Sequence, residues 1–275
     1  MYFFCNLLLL PVVICYHVTV LPYDDGANIK GSSFAHNFLI PELSKKDTVT
    51  YANTDKHLRI VLVNGFVSIW NSLNMNEKSL LIGGDHTVAI PSIFASNEFC
   101  SKVVKKKLGV LWMGAHADFN TIGQSKTKNI HGTPVAVLCG HTLPFLSYGN
   151  KLDTDQFAYY GLRDVDTLEQ NRLNDFSMNV LKSKNEIMEW VDNFEAIHIS
   201  FDVDCLDPSI ISANTPVKNG ISLKEIEEIF ESFSVTQKVI SMDLVEWNPL
   251  EIKCNEKLIK EAKMLASLIE IVLDK

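Results

Sequence analysis

The chain has 275 residues, of which 47% are hydrophobic and 21% charged, and its 33 acidic and 25 basic side chains give a formal net charge of −8. A chain of this length can bury about three quarters of the surface that its unfolded form exposes, so it needs no disulfide or structural metal to form a core. Its acidic balance argues against nucleic acid or an anionic membrane as a partner. The six cysteines include no C-x-x-C pair and mostly lie in apolar stretches, which excludes a disulfide scaffold and a zinc ribbon and indicates buried thiols in a reducing compartment.

Residues 1–22, MYFFCNLLLLPVVICYHVTVLP, are apolar enough to suggest a secretory signal or a membrane anchor. No Lys or Arg precedes Lys30, so the positive segment of a signal peptide is missing, and Pro11 interrupts any spanning helix. We therefore expect residues 12–20, which are rich in β-branched side chains, to form the first buried strand of a cytoplasmic protein. A signal peptide on a secreted protein is the alternative.

Further along the chain, apolar runs that end abruptly in polar clusters indicate buried strands followed by loops, as in KSLLIGGDHT, LGVLWMGAHADFN, FAYYGLRDVD, FEAIHISFDVDCLDPS and KVISMDLVEWNP. Helical patterns lie between and after them, namely ISLKEIEEIFESF, with Ser222 and Glu225 as a capping-box pair, and the C-terminal EKLIKEAKMLASLIEIVLDK. The alternation predicts an α/β fold with a mostly parallel sheet, and no repeat or linker divides residues 1–275, so we expect a single domain. Ligands of such sheets bind beyond the carboxyl ends of the strands, where the polar clusters lie.

Two of these clusters hold potential metal ligands two residues apart. Because alternate residues of a strand point to one face, we expect His116 and Asp118 to converge on one point and Asp202 and Asp204 on another. Either pair alone could be a hydrogen-bonded loop, but both occur with a Gly-Gly-Asp-His turn at residues 83–86. Carboxylates with a minority of imidazole suit Mn²⁺ or Mg²⁺, and clustered carboxylates need cations to remain ionised. The sequence thus predicts a binuclear divalent-cation site.

The motifs carry a family resemblance. GGDHT at 83–87, GAHADFN at 114–120, NIHGTP at 129–134, GLRDVD at 161–166, SFDVDCLDPS at 200–209 and DLVEWNP at 243–249 occur in an order that resembles the arginase branch of the ureohydrolases. The resemblance covers about residues 80–250. It implies a three-layer α/β/α fold and two Mn²⁺ ions that serve the hydrolysis of L-arginine to L-ornithine and urea. It also suggests a homotrimer or other homo-oligomer, with no nucleic acid or membrane partner.

The resemblance implies a role for each of several residues. The metal ligands would be His86, His116, Asp118, Asp202 and Asp204, with Asp202 bridging two ions that can hold a hydroxide at neutral pH. Asp118 would also accept a hydrogen bond from that hydroxide. Glu246 would grip the planar guanidinium in bidentate geometry, and His131, whose ordinary pKa lies near 6.5, would carry a proton to the leaving amine.

The resemblance also implies how the amino-acid end of the substrate is recognised. Its α-carboxylate would be read by hydroxyl and amide side chains, those of Asn120, Ser125, Thr127 and Asn129. Asp166 and Glu169 would take the α-ammonium group, whereas Asp164 could equally anchor a loop or contact the substrate. Agmatine lacks the carboxylate and would leave buried donors unpaired, which is costly, so L-arginine is the first choice and agmatine the alternative.

One residue departs from the pattern of the family, which reads D-A-H-A-D where this chain has Gly114-Ala115-His116-Ala117-Asp118. The missing carboxylate is one that bridges both metals in the family. Losing it should cost more than the roughly 10–100-fold that follows the loss of an outer-shell partner. We expect an arginase-type hydrolase with weakened metal affinity. Binding of one or no metal ion, or an inactive relative that keeps the arginine pocket as a sensor or interaction surface, are the alternatives.

Overall fold

The computed structural model describes residues 16–44, 46–52, 57–141 and 150–274, and within them eight parallel strands form one sheet in the order β2-β1-β3-β8-β7-β4-β5-β6. The strands are β1 (Tyr16–Val20), β2 (Lys46–Tyr51), β3 (Lys78–Ile82), β4 (Leu108–Met113), β5 (Phe157–Tyr160), β6 (Asn179–Leu181), β7 (Ala196–Asp202) and β8 (Val239–Val245). The five strands predicted from apolar runs are β3, β4, β5, β7 and β8.

The same residues form eight α-helices, which cover both faces of the sheet. They are α1 (Ala35–Leu39), α2 (Leu58–Asn74), α3 (Ala89–Phe99), α4 (Pro134–Leu138), α5 (Thr167–Asp175), α6 (Lys184–Val191), α7 (Leu223–Thr236) and α8 (Asn255–Leu273). Side chains of α1, α6, α7 and α8 share one hydrophobic core with the sheet, and those of α2, α3, α4 and α5 share a second. The predicted three-layer α/β/α architecture is therefore confirmed.

The two outermost strands were not predicted. β2 has the half-exposed sequence KDTVTY at one sheet edge, and β6 has only three residues at the other edge, so neither carries an apolar run. The first strand begins at Tyr16, and residues 12–15 of the predicted strand lie outside the described residues. No helix in the described part of the chain has both the length and the apolar composition to cross a bilayer.

The prediction of buried thiols was partly wrong. Cys100, Cys139 and Cys205 are buried, and Cys205 lies in a core cluster as predicted, but Cys254 is exposed just before α8. Its neighbours, IKCNEK at 252–257, are mostly polar, and it lies in the connection between β8 and the last helix.

Helix α7 forms as its sequence predicts. The Ser222 hydroxyl accepts a hydrogen bond from the Glu225 N–H at 3.3 Å, which is one half of the predicted capping box. The Glu225 carboxylate accepts a hydrogen bond from the Tyr160 hydroxyl, which fastens the helix start to β5. Apolar residues at helical spacing, including Phe230 and Phe233, are buried against the sheet. The helix is therefore held mainly by its packed face.

Shortening a buried side chain of α7 tests this assignment. Phe233 is 1% exposed, whereas Val235 on the same helix is 82% exposed. We expect Phe233→Ala to lower the free energy of unfolding by about 3–5 kcal/mol because it removes buried apolar contacts and leaves a cavity. Val235→Ala should change it by less than about 0.5 kcal/mol. Urea denaturation of both variants measures the difference, and equal effects would contradict the packing described.

Candidate metal and substrate site

The candidate site lies at the edge of the sheet where the central strands end. The turn after β3 carries His86, the segment after β4 carries His116 and Asp118, β7 ends at Asp202, and Glu246 directly follows β8. Because the strands are parallel, all of these carboxyl ends meet at one edge, as the sequence predicted.

His86, Asp118 and Asp202 form a compact buried group. The Nδ1 atom of His86 lies 2.9 Å from Asp118 Oδ2 and 3.2 Å from Asp202 Oδ2, and one ligand atom from each residue lies within 4.8 Å of the others. Although these atoms are close, Nδ1 of His86 has no hydrogen bond of acceptable geometry among the described residues. This set of one imidazole nitrogen and two carboxylate oxygens, in which the nitrogen forms no hydrogen bond, suits a divalent cation of the Mn²⁺ type.

His116 pairs with a different carboxylate. Its Nδ1 atom lies 2.8 Å from Asp204 Oδ2, and the other oxygen of Asp204 accepts a hydrogen bond from the Ala115 N–H at 2.8 Å. The Nε2 atom of His116 lies 3.5 Å from the mostly exposed Asp164. Burial lowers the pKa of His116, but the hydrogen bond and charge of Asp204 outweigh burial and raise it to about 10.

The expectation that His116 and Asp118 lie on a strand is wrong. β4 ends at Met113, so His116 and Asp118 lie beyond the strand, and Asp118 has a left-handed backbone with φ of 49°. The shortest contacts cross between loops: Asp118 approaches His86, and Asp204 approaches His116. Strand periodicity does not apply where the chain has left the sheet.

Position 114 faces the carboxylates. A Cβ atom built on Gly114 would lie 3.3 Å from Asp202 Cβ and 3.4 Å from Asp204 Oδ1. A side chain at this position would therefore point at two of the predicted ligands, and the glycine leaves their negative charge without a third carboxylate beside it.

The Asp202 carboxylate is costly to ionise. Burial, together with the charge of Asp204, raises the pKa of Asp202 well above its usual range, even though His86 opposes the shift. Burial lowers the pKa of His86, but the close carboxylates of Asp118 and Asp202 outweigh it and raise the value well above 6.5. A divalent cation bound among these residues would favour the ionised form of the Asp202 carboxylate.

Glu246 is the centre of a second group of contacts and is 1% exposed. One carboxylate oxygen accepts a hydrogen bond from the His86 N–H at 2.8 Å and lies 3.2 Å from Nδ1 of His131, and the other accepts from the Asn214 side-chain amide at 2.6 Å. Burial lowers the pKa of His131, but Glu246 outweighs it and raises the value to about 9. His131 is therefore protonated at neutral pH, which its ordinary pKa near 6.5 did not predict.

These groups open into a cavity of about 290 Å³. Its wall includes His116, Asp118, His131, Asp202 and Glu246, together with five of the six residues predicted to read the amino-acid end of the substrate, namely Asn120, Ser125, Thr127, Asp166 and Glu169. Asn129 is not part of this wall as described, while Asp164 and Thr215 are.

Asp166 and Glu169 already have protein partners. Asp166 accepts hydrogen bonds from the Glu169 N–H at the start of α5 and from the Asn120 amide, and the Glu169 carboxylate accepts from the Phe119 N–H at 2.7 Å. Burial raises the pKa of Glu169 to about 7, with a further contribution from the charge of Asp118. Both carboxylates are thus fixed in the cavity wall.

A buried polar network behind His86 was missed from the sequence. The Ser200 hydroxyl lies 3.0 Å from Nε2 of His86 and 3.5 Å from Asp243, which in turn lies 2.8 Å from Nε2 of His198. His198, Ser200 and Asp202 alternate along one face of β7, and Asp243 is the β8 partner of Ser200. Polar residues at every second position of a buried strand were the available signal.

Breaking this network should weaken metal binding. Ser200→Ala removes the hydroxyl beside His86, so we expect Mn²⁺ affinity to fall roughly 10–100-fold because the imidazole loses the contact that orients it. Ser241→Ala is the matched control, since Ser241 is a buried hydroxyl on β8 without a hydrogen-bond partner among the described residues. Calorimetric titration with Mn²⁺ measures both, and equal affinities of the two variants would argue against the orienting role.

Comparisons with known proteins identify the family of this chain. A family model described as the arginase family matches residues 24–269. The arginase of Neurospora crassa is 36% identical over 189 residues, which cover 62% of this chain and 53% of that protein. The arginase of Emericella nidulans is 36% identical over 190 residues, which cover 62% of this chain and 59% of that protein. The matched region thus spans between half and three fifths of these relatives. The crystal structure of arginase from Bacillus subtilis superimposes with a TM-score of 0.84 at 24% identity over 95% of this chain and 99% of that chain, a likeness of fold.

Proposed function

The chain belongs to the arginase family, and from that premise we propose that it hydrolyses L-arginine to L-ornithine and urea with the help of Mn²⁺. The observation that carries the proposal is the convergence of His86, Asp118 and Asp202 beside a cavity that also contains His131 and Glu246. The arginase of Entamoeba histolytica, which has been solved in complex with L-ornithine, shares this fold with a TM-score of 0.81. Ornithine is the product that our proposal assigns to this cavity.

His86, Asp118 and Asp202 would hold one ion, and His116 and Asp204 would hold a second. When bound, divalent ions lower the pKa of water and thereby supply a nucleophile at neutral pH. The protein contributes buried carboxylates that are fixed by backbone N–H donors: Asp204 by Ala115, and Asp202 by Asp204 itself at 2.9 Å. These fixed oxygens would need little rearrangement on binding cations.

Glu246 and His131 would act on the guanidinium. A planar guanidinium presents paired N–H donors that a carboxylate can accept, and Glu246 lies at the cavity wall. The oxygen of Glu246 that faces His131 would accept a substrate N–H in place of the imidazole. The protonated imidazole, released from Glu246, would then donate its proton to the leaving amine.

The opposite part of the cavity would hold the amino-acid end. Asp166 and Glu169 provide negative charge for the α-ammonium group, while Asn120, Ser125 and Thr127 provide donors for the α-carboxylate. Agmatine would leave these donors unpaired, and this difference favours L-arginine. Asn129 would contribute through the shape of the loop, since its N–H donates to the Thr127 hydroxyl.

Gly114 should weaken the binding of metal. No carboxylate projects from this position toward Asp202 and Asp204, so cations would meet fewer negative ligands than in a site with an acid there. We therefore propose a hydrolase that requires a high Mn²⁺ concentration.

Urea release with metal analysis tests the proposal. Purified wild type should release urea from L-arginine at high Mn²⁺, and Gly114→Asp should bind Mn²⁺ at least about tenfold more tightly, because its carboxylate would project toward Asp202 and Asp204. Calorimetric titration and elemental analysis of dialysed protein give affinity and stoichiometry for both. If the wild type binds Mn²⁺ and L-arginine yet releases no urea at any Mn²⁺ concentration, the inactive arginine-binding relative is the correct description.

The proton-donor role of His131 has its own test. A group that must be protonated and has a pKa of about 9 makes kcat/KM fall as the pH rises through that value. His131→Gln should lower kcat about 10²–10⁴-fold and remove this alkaline limb. Added imidazole should restore part of the rate. A variant with unchanged kcat and the same alkaline limb would exclude His131 as the donor.

A further inference from the structure

The charges that line the cavity are strongly unbalanced. Its described wall contains six carboxylates, those of Asp118, Asp164, Asp166, Glu169, Asp202 and Glu246, whereas Lys126 is the one Lys or Arg among the described lining residues. The imidazoles of His116 and His131 lie in the same wall, beside the residues that would hold metal ions and the guanidinium. Lys126 therefore provides positive charge in the loop that forms the outer part of the cavity.

The loop that carries Lys126 is held in a defined shape. The N–H groups of Gln124 and Ser125 donate to the Thr121 carbonyl, and the Ser125 hydroxyl accepts from the Lys128 N–H at 3.1 Å. The ammonium group of Lys128 folds back onto the carbonyls of Ile122 and Gly123 at 3.0 and 2.9 Å. Lys128 thus stabilises the loop in which it lies.

Lys126 differs from Lys128. It lines the cavity, its side chain is exposed, and within the described residues its ammonium group makes no ion pair or hydrogen bond. It nevertheless lies near Asp166: the pKa of Asp166 is lowered mainly by the Glu169 N–H, then by the Asn120 amide, and also by the charge of Lys126. The ammonium group is thus available to a ligand while it faces the wall predicted to take the amino-acid end.

We propose that Lys126 binds the α-carboxylate of the substrate and makes the cavity select an amino acid over the corresponding amine. This inference rests on the proposed function, since it concerns the same cavity. L-Arginine carries two cationic groups, which match the carboxylates of the wall, and one anionic group. An ammonium group in a partly open cavity attracts that anion, whereas hydroxyl and amide donors can only hydrogen-bond to it. A substrate without the carboxylate gains nothing from Lys126.

The readout is the ratio of kcat/KM for L-arginine to that for agmatine, measured on the Mn²⁺-loaded enzyme. We expect Lys126→Gln to lower this ratio about fivefold, mainly through KM for L-arginine, because an exposed charge pair contributes modestly. Lys126→Arg should keep the ratio near that of the wild type, and Lys126→Glu should lower it further. The control Lys224→Gln removes an exposed lysine of α7. The effect of Lys126→Gln should also shrink as salt is added.

The outcomes separate the two proposals. If the wild type hydrolyses L-arginine and Lys126→Gln leaves the ratio unchanged, the role of Lys126 is overturned and the proposed function stands. If the wild type releases no urea, calorimetric binding of L-arginine and agmatine decides: a loss of L-arginine affinity confined to Lys126→Gln and Lys126→Glu supports the role of Lys126 although hydrolysis fails. If the wild type binds neither compound, both proposals fail.

Discussion

The candidate site depends on how the negative charge of buried carboxylates is balanced at one edge of the sheet. Asp118, Asp202, Asp204 and Glu246 all lie beyond the ends of strands with little exposure to water. Each has an imidazole or backbone N–H within hydrogen-bonding distance, yet burial still raises the pKa of Asp202. Negative charge that the protein cannot fully compensate is what makes this edge suited to divalent cations and a cationic substrate.

The fold holds these charges in place by local hydrogen bonds. Arg163 donates to the carbonyls of Gly161, Asp204 and Val217, so one guanidinium joins the loop after β5 to the turn after β7 and to the segment beyond it. On the other side, Asp85 accepts from the N–H groups of Gly26 and Thr87, and the Gly26 carbonyl accepts from His131. The loops around the cavity are therefore fastened to one another as well as to the sheet, which favours a preorganised site.

Gly114, beside Asp202 and Asp204, and Lys126, in the cavity wall, are two positions where a substitution would change the charge of the site directly. At the inner end, the glycine adds no carboxylate beside Asp202 and Asp204. At the outer end, the lysine adds positive charge to a wall that otherwise contains carboxylates, hydroxyls and amides. In our proposals, the first position limits the affinity for metal, and the second favours a substrate that carries a carboxylate.

The sequence by itself determined the layered α/β fold, five strands and the motifs that lie at their ends, because buried parallel strands need apolar runs and the chain must leave them in polar loops. It did not determine the edge strands β2 and β6, which lack such runs, nor the partners of the ligands. Asp118 approaches His86 across 32 residues of sequence (118 − 86), and Ser200 lies against the same imidazole from another strand. Only the tertiary structure decided these contacts, because they depend on the order of strands in the sheet and on backbone turns such as that at Asp118, which no local periodicity encodes.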